Sequence, residues 1–215
     1  GVDPRVVPYS DSFSHISEQY RALRTSIRSC LVKENKASSL SAATSLLTAP
    51  KIFTISSALP GEGKTLTAVN VAVSLAEELE SKILLVDCDL RNGGIHKLFN
   101  LEAAPGIADV LTYDLDYRAA LRPTQLKNLF VMPRGKAPSN PSEILNSKGM
   151  RSLMGKLKTG EFTYIIIDTP PLILFTDAGI LSAQTHGAML VVKAHQTQAG
   201  VIKRAKELLD QSHSR

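Results

Sequence analysis

The sequence predicts one α/β domain, a mostly parallel central sheet with helices on both faces. The first observation behind this is a series of short aliphatic and β-branched runs, "KIFTIS", "KILLVD", "NLFVMP", "YIIID" and "GAMLVVKA", separated by helical stretches from Lys51 onward. Strands that are apolar throughout, and not at alternate positions only, are covered on both faces, and strand–helix alternation joins them by right-handed crossovers. The second is a glycine-rich turn placed directly after the first run. In open sheets of this kind ligands sit beyond the carboxyl ends of the strands. At 215 residues the chain has the length of one ordinary domain with a large core.

Taken in order, the first element is a helix from about Ser14 to Leu31. Ile16, Tyr20, Leu23, Ile27 and Leu31 recur at steps of four and three, the period of one apolar face. Its polar side carries Glu18, Arg21, Arg24 and Arg28, and the spacing lets Glu18 pair with Arg21 and brings Arg21 near Arg28. Residues 33–50, rich in Ser, Ala and Thr, read as a connection left unassigned. The core, residues 51–215, follows with the strand "KIFTIS", a helix from Lys64, "KILLVD", a mixed stretch, "NLFVMP", a helix near Ser142 to Leu157, "YIIID" and "GAMLVVKA".

Composition excludes several classes. With 43% hydrophobic and 21% charged residues the chain is neither disordered nor fibrous. Its net charge of +5 comes from basic residues spread along the chain, with no like-charge run that would mark a nucleic-acid arm, so no nucleic-acid partner is expected. Cys30 and Cys88 have neither metal spacing nor the density of a secreted scaffold, which points to a reducing cytosol. The histidines are scattered, and no histidine-built metal site is expected. The longest apolar run, "YIIIDTPPLILF", is broken by Asp168 and two prolines, so the chain is not expected to cross a membrane alone. A start at Gly1 reads as an excised or processed piece of something longer.

The turn "SALPGEGKT" contains more than a turn needs. A bend uses Gly and Pro but has no use for the lysine and threonine that follow. Gly61 and Gly63 let consecutive N–H groups converge on an anion, Lys64 reaches β and γ phosphates, Thr65 offers a hydroxyl to Mg²⁺, and the helix from Lys64 turns its positive end to the same point. Pro60, Gly61, Glu62, Gly63, Lys64, Thr65 and Leu66 are therefore expected to bind the nucleotide, with Lys64 at the loop surface and packing little. Ala58 replaces the first glycine of the G-x-x-x-x-G-K-[ST] pattern, and an ordinary strand–helix turn is the competing reading.

Asp87 and Asp89 in "KILLVDCDLR" stand one residue apart at a strand end, on the same side of the sheet, where they repel unless a cation or donor intervenes. The competing reading is a loop with one capping and one solvated aspartate. Asp168 ends another buried strand. Thr65, Asp87 and Asp168 are expected at Mg²⁺, and Lys64, Asp87 and Asp89 in catalysis. Either Asp87 or Asp89 can take a proton from an attacking hydroxyl, and the choice stays open.

"ALPGEGKT", "LLVDCDLR" and "YIIIDTPP" resemble, in order and spacing, the Walker A, A′ and B motifs of the bacterial tyrosine kinases, the BY-kinases of capsule and exopolysaccharide production. "DLRNGGIHKLF", "PRGKAPSNPSEIL" and "DTPPLILFTDA" resemble further blocks of that family, and Glu18, Arg21 and Arg24 fit its Glu-x-x-Arg-x-x-Arg motif. The resemblance implies a P-loop NTPase fold and an ATP- and Mg²⁺-dependent tyrosine autokinase acting on protein tyrosines in trans. It also implies a homo-oligomeric ring or a hetero-assembly with a membrane polysaccharide co-polymerase activator, at the cytoplasmic face of the plasma membrane. In the family one further strand and a tyrosine cluster follow. Here Tyr9, Tyr20, Tyr113, Tyr117 and Tyr164 are dispersed, so the chain reads as a shortened piece or a short member that depends on another subunit's tail. Two alternatives share the fold: a partition or septum-site ATPase, whose loop would carry a lysine near Ala58 and Leu59, and a nucleotide-binding module without turnover.

Overall fold

The computed structural model describes residues 1–35 and 50–212, with side chains described for 1–29 and 50–212. The predicted connection lies almost wholly outside them. Strands β1 (Lys51–Ser57), β2 (Ile83–Asp87), β3 (Arg122–Pro123), β4 (Leu129–Met132), β5 (Tyr164–Asp168) and β6 (Gly187–Val191) form a sheet in the order β3-β4-β2-β5-β1-β6. All pairings are parallel except β3 with β4. The sheet is mixed only at that short edge, which "LRP" gives no run long enough to announce.

The continuous apolar strands serve two faces, as their composition requires. Phe53, Ile55, Ile83, Leu85 and Ile166 point to a layer that includes helix α3 (Lys64–Ala76) and Ile27 of helix α2 (His15–Asn35). Their neighbours Ile52, Leu84, Val86, Ile165 and Ile167 point to the opposite layer, which holds helices α5 (Ile107–Tyr113), α7 (Lys148–Lys158) and α8 (Asp177–Ser182). At roughly 25 cal/mol per Å² of apolar surface removed from water, these two layers supply the main driving force for the sheet.

The expected helix from Ser142 to Leu157 is two helices, α6 (Pro141–Leu145) and α7. Ser147 interrupts it: its backbone is extended and its Oγ accepts a hydrogen bond from Met150 N at 3.1 Å, which starts α7 afresh. Helix α1 (Val7–Ser10), the short α4 (Ile95–Leu98), α8 and α9 (Ala199–Gln211) were not anticipated individually. No helix among the described residues is long and apolar enough to cross a membrane.

Candidate active site

Strand register builds the site. Asp87 and Asp168 are direct neighbours at the ends of β2 and β5, and Ile55 of β1 lies on the other side of Asp168. The loop that leaves β1 therefore begins beside both acids. Gly61 and Gly63 hold φ values of +79° and +94°, a region an L side chain enters only with strain, and α3 begins at the next residue. The result is a loop that leads into α3 with Lys64 and Thr65 at the tips of β2 and β5.

The predicted residues come together there. Lys64 Nζ lies 2.7 Å from Asp89 Oδ2 and 3.7 Å from Asp168 Oδ1. Thr65 Oγ1 donates to Asp168 Oδ2 at 2.6 Å, and Lys64 Nζ donates to Thr65 Oγ1 at 3.1 Å. Asp89 thus acts in this structure as the counter-ion of Lys64, and its Oδ1 also accepts from Asn92 N. The expectation that Lys64 packs little is corrected: its side chain is only 12% exposed, because it reaches inward to compensate buried acids. Leu66 turns its side chain into the core layer under α3, leaving only its backbone toward the loop, while Pro60 and Gly61 are exposed at the crest. Glu62 bridges: one oxygen accepts from Leu59 N at 2.6 Å and the other from Thr197 Oγ1 in the turn after β6.

Charge at this point is unbalanced. Asp87, Asp89 and Asp168 are all buried against one lysine. Burial pushes the Asp87 and Asp168 carboxyls above the ordinary range, and mutual repulsion adds to the rise of Asp87. Burial pulls the Lys64 ammonium down, but the charges of Asp168 and Asp89 outweigh it and its pKa lies above that of an ordinary lysine. Asp87 Oδ2 accepts from Ile95 N at 3.1 Å, yet Asp87 Oδ1 and Asp168 Oδ1 are buried without a hydrogen-bond partner. A carboxylate oxygen in that state costs on the order of 1–3 kcal/mol.

Those two orphaned oxygens and the Thr65 hydroxyl are oxygen ligands that could hold a divalent ion accompanying a phosphate. No cluster of three or more His, Cys, Asp or Glu among the described residues holds a metal by itself. Mg²⁺ takes oxygen ligands and keeps water and phosphate oxygens, so two carboxylates and a hydroxyl are of the right chemistry for it. The residues present therefore suit the group.

Glycine 93 shows how closely the site is fitted. A Cβ there would lie 2.3 Å from Asp87 Oδ1 and 2.6 Å from the Asp89 carbonyl. The loop after β2 closes onto the acid only because no side chain intervenes. Cys88, between the acids, is fully buried and its thiol is held far above the ordinary range by that burial and by the carboxylates around it.

Glu18, Arg21 and Arg24 lie apart from this site. Arg21 bonds Glu18 at 2.5 Å as expected, but also Glu77 at 3.0 Å, while Arg24 bonds Glu77 at 3.0 Å and the Ser74 carbonyl. Arg28 reaches Glu78 at 2.8 Å. Glu77 and Glu78 follow α3 directly, so within one chain these arginines seat α2 on α3. Reasoning from spacing along α2 could not find partners some fifty residues away.

Sequence reasoning also left Arg91, Ser142 and Asp177 without roles, although each falls in a quoted block. Arg91 Nε donates to Asp177 Oδ2 at 3.3 Å and Nη2 to Ser142 Oγ at 2.9 Å, and Ser142 Oγ lies 2.5 Å from Asp177 Oδ1. A charged residue two positions beyond paired acids was the available signal.

A phosphate loop, a helix starting at its lysine and acids at the neighbouring strand tips define a P-loop NTPase. Residues 50–207 match the family model described as an AAA domain. Tyrosine-protein kinase YwqD of Bacillus subtilis is 35% identical over 204 residues, 95% of this chain and 79% of that protein. The kinase domain of the Escherichia coli tyrosine kinase ETK superposes with a TM-score of 0.86 at 25% identity, covering 98% of this chain and 76% of that one. The septum site-determining protein MinD of Pyrococcus horikoshii, complexed with Mg-ADP, reaches a TM-score of 0.54 at 27% identity over 66% of this chain and 57% of that one. The chain belongs to the bacterial tyrosine-protein kinases, and the partition or septum-site alternative is the weaker match.

Proposed function

We propose that this chain is the kinase domain of an ATP- and Mg²⁺-dependent tyrosine autokinase that controls capsule or exopolysaccharide production. One observation carries the reading: beside the Thr65 hydroxyl and Lys64, one buried carboxylate oxygen on each of Asp87 and Asp168 has no hydrogen-bond partner. That arrangement is costly for the free chain and suits a site that receives a charged ligand.

In this reading the loop amides of Gly61 to Thr65 and the start of α3 hold the phosphates, and Lys64 leaves Asp89 to lie along them. Mg²⁺, when bound, supplies charge that offsets the developing negative charge on the phosphate oxygens. It would be held by Thr65, with Asp87 and Asp168 beside it. Asp89, released from Lys64, or Asp87, whose pKa burial and repulsion raise, accepts the tyrosyl proton as its oxygen attacks. Two adjoining acids with different surroundings are suited to divide those roles.

Assembly belongs to the same proposal. Glu18, Arg21 and Arg24 take part in a ring or in a hetero-assembly with a membrane activator at the cytoplasmic face, and the substrate tyrosine comes from another chain. The test is incubation with ATP and Mg²⁺, alone and with a full-length relative, followed by phosphotyrosine detection. Phosphotyrosine on either chain is expected. ATP hydrolysis without any would favour the switch reading, and no nucleotide binding would sink both.

A further inference from the structure

Asp177 is fully buried, so its charge must be answered locally. The answer is a closed triangle drawn from three segments: Arg91 after β2, Ser142 at the start of α6 and Asp177 at the start of α8. Phe175 adds a face, with the Arg91 guanidinium 4.1 Å from its ring centroid, and Arg134 Nη1 donates to the Arg91 carbonyl at 3.1 Å. A long, flexible side chain is thereby fixed in one orientation.

A guanidinium serving only as a staple would use both of its edges inside the fold. Here Nε and Nη2 are engaged and, among the described residues, Nη1 makes no hydrogen bond, while the side chain remains 28% exposed. The internal pair with Asp177 is neutral, Arg134 brings a second cation beside it, Glu143 is exposed and engaged with Asn140, and the acids Asp87, Asp89 and Asp168 are buried at the strand tips against Lys64. The free edge is therefore a preorganised receptor for an anion.

Position separates that anion from the nucleotide. The phosphate loop follows β1, and β2 lies beyond β5 from it. Arg91 thus belongs to the far wall of the crevice, past Asp89. In-line transfer places the acceptor opposite the leaving phosphate, hence on that wall. We propose that Arg91 is a specificity-determining residue that receives a carboxylate flanking the acceptor tyrosine, so that the enzyme selects tyrosines in acidic segments. This rests on the tyrosine-kinase reading above.

The experiment compares two peptides that differ only in having Glu or Gln around one tyrosine, with ATP and Mg²⁺ and the full chain. Arg91→Gln should raise KM for the Glu peptide about tenfold, the loss of one charge-assisted contact, with kcat, KM for ATP and KM for the Gln peptide each within about twofold. Ser142→Ala, which frees the guanidinium without removing its charge, should give a smaller rise on the Glu peptide alone, and it keeps the idea testable if Arg91→Gln folds poorly. Equal losses on both peptides, or a matching rise in KM for ATP, would overturn the proposal and leave Arg91 a staple or a nucleotide contact. Fluorescence anisotropy with the labelled Glu peptide gives an arm free of turnover. Preferential, Arg91-dependent binding without phosphorylation of either peptide would reject the kinase reading while upholding the receptor, and equal phosphorylation of both would reject the receptor alone.

Discussion

Two charged clusters in this molecule are built on opposite terms. Where α2 meets α3, Arg21, Arg24 and Arg28 face Glu18, Glu77 and Glu78, three charges against three, and the side chains keep between 19% and 61% of their surface in water. At the strand tips Asp87, Asp89 and Asp168 face Lys64 alone and are almost entirely excluded from solvent. The first cluster is balanced in charge and paired within the chain. The second is short of positive charge and of hydrogen bonds, which is how a protein marks a place meant to receive a charged ligand.

The contrast is sharpest if the single cation at the tips is removed. Lys64→Met should weaken nucleotide binding at least about a hundredfold and abolish phosphotyrosine formation, since an amine on phosphate is worth several kcal/mol in a shielded site. It should also cost the free protein about 3–5 kcal/mol, because the buried acids lose their partner. Titration with a fluorescent ATP analogue and thermal melts measure the two effects, and unchanged ATP affinity would remove the site assignment. Asp87→Asn should act in opposite directions on the two properties. It should raise the melting temperature of the free protein by a few degrees, roughly 2–4 °C, by relieving repulsion, while abolishing transfer.

The same asymmetry gives a pH dependence. Asp87 and Asp168 hold protons more tightly folded than unfolded, since burial raises both pKa values. Their contribution to stability is present below the ordinary carboxylate range and is lost as pH rises through the raised folded values. The free protein should therefore lose stability as pH rises from that range toward neutrality, and Mg²⁺ with nucleotide should flatten the loss. A midpoint that climbs over that interval without ligand would contradict the picture. The smallest effect belongs to the balanced cluster: Arg21→Ala with Arg24→Ala should cost about 1 kcal/mol, less at high salt, with activity in the monomeric state retained. If the helix also forms subunit contacts, sedimentation should show a lighter particle.

The same division explains what could be read before the structure. Apolar runs such as "YIIID" announce covered parallel strands directly, and "GEGKT" announces its loop, because both depend on neighbours in sequence. Asp87 and Asp168 were recognisable as strand-end acids, and their side-by-side register follows from the strand order. What stayed hidden depends on distant partners: Glu77 under Arg21, Thr197 against Glu62, and Asp177 behind Arg91. Ser147 was legible in principle, being an extended serine before a helical run, and would have divided the helix at the right place. Likewise Val201, Ala205, Leu208 and Leu209 repeat at helical spacing and announce α9.

Gly93 carries a lesson for anyone altering this protein. It has no side chain to offer to any reaction, yet the atom it lacks would occupy the space of an Asp87 oxygen. Randomising that codon and selecting for phosphorylation should return glycine almost alone, so that a position silent in every inventory of reactive groups proves as intolerant as the aspartate it shelters.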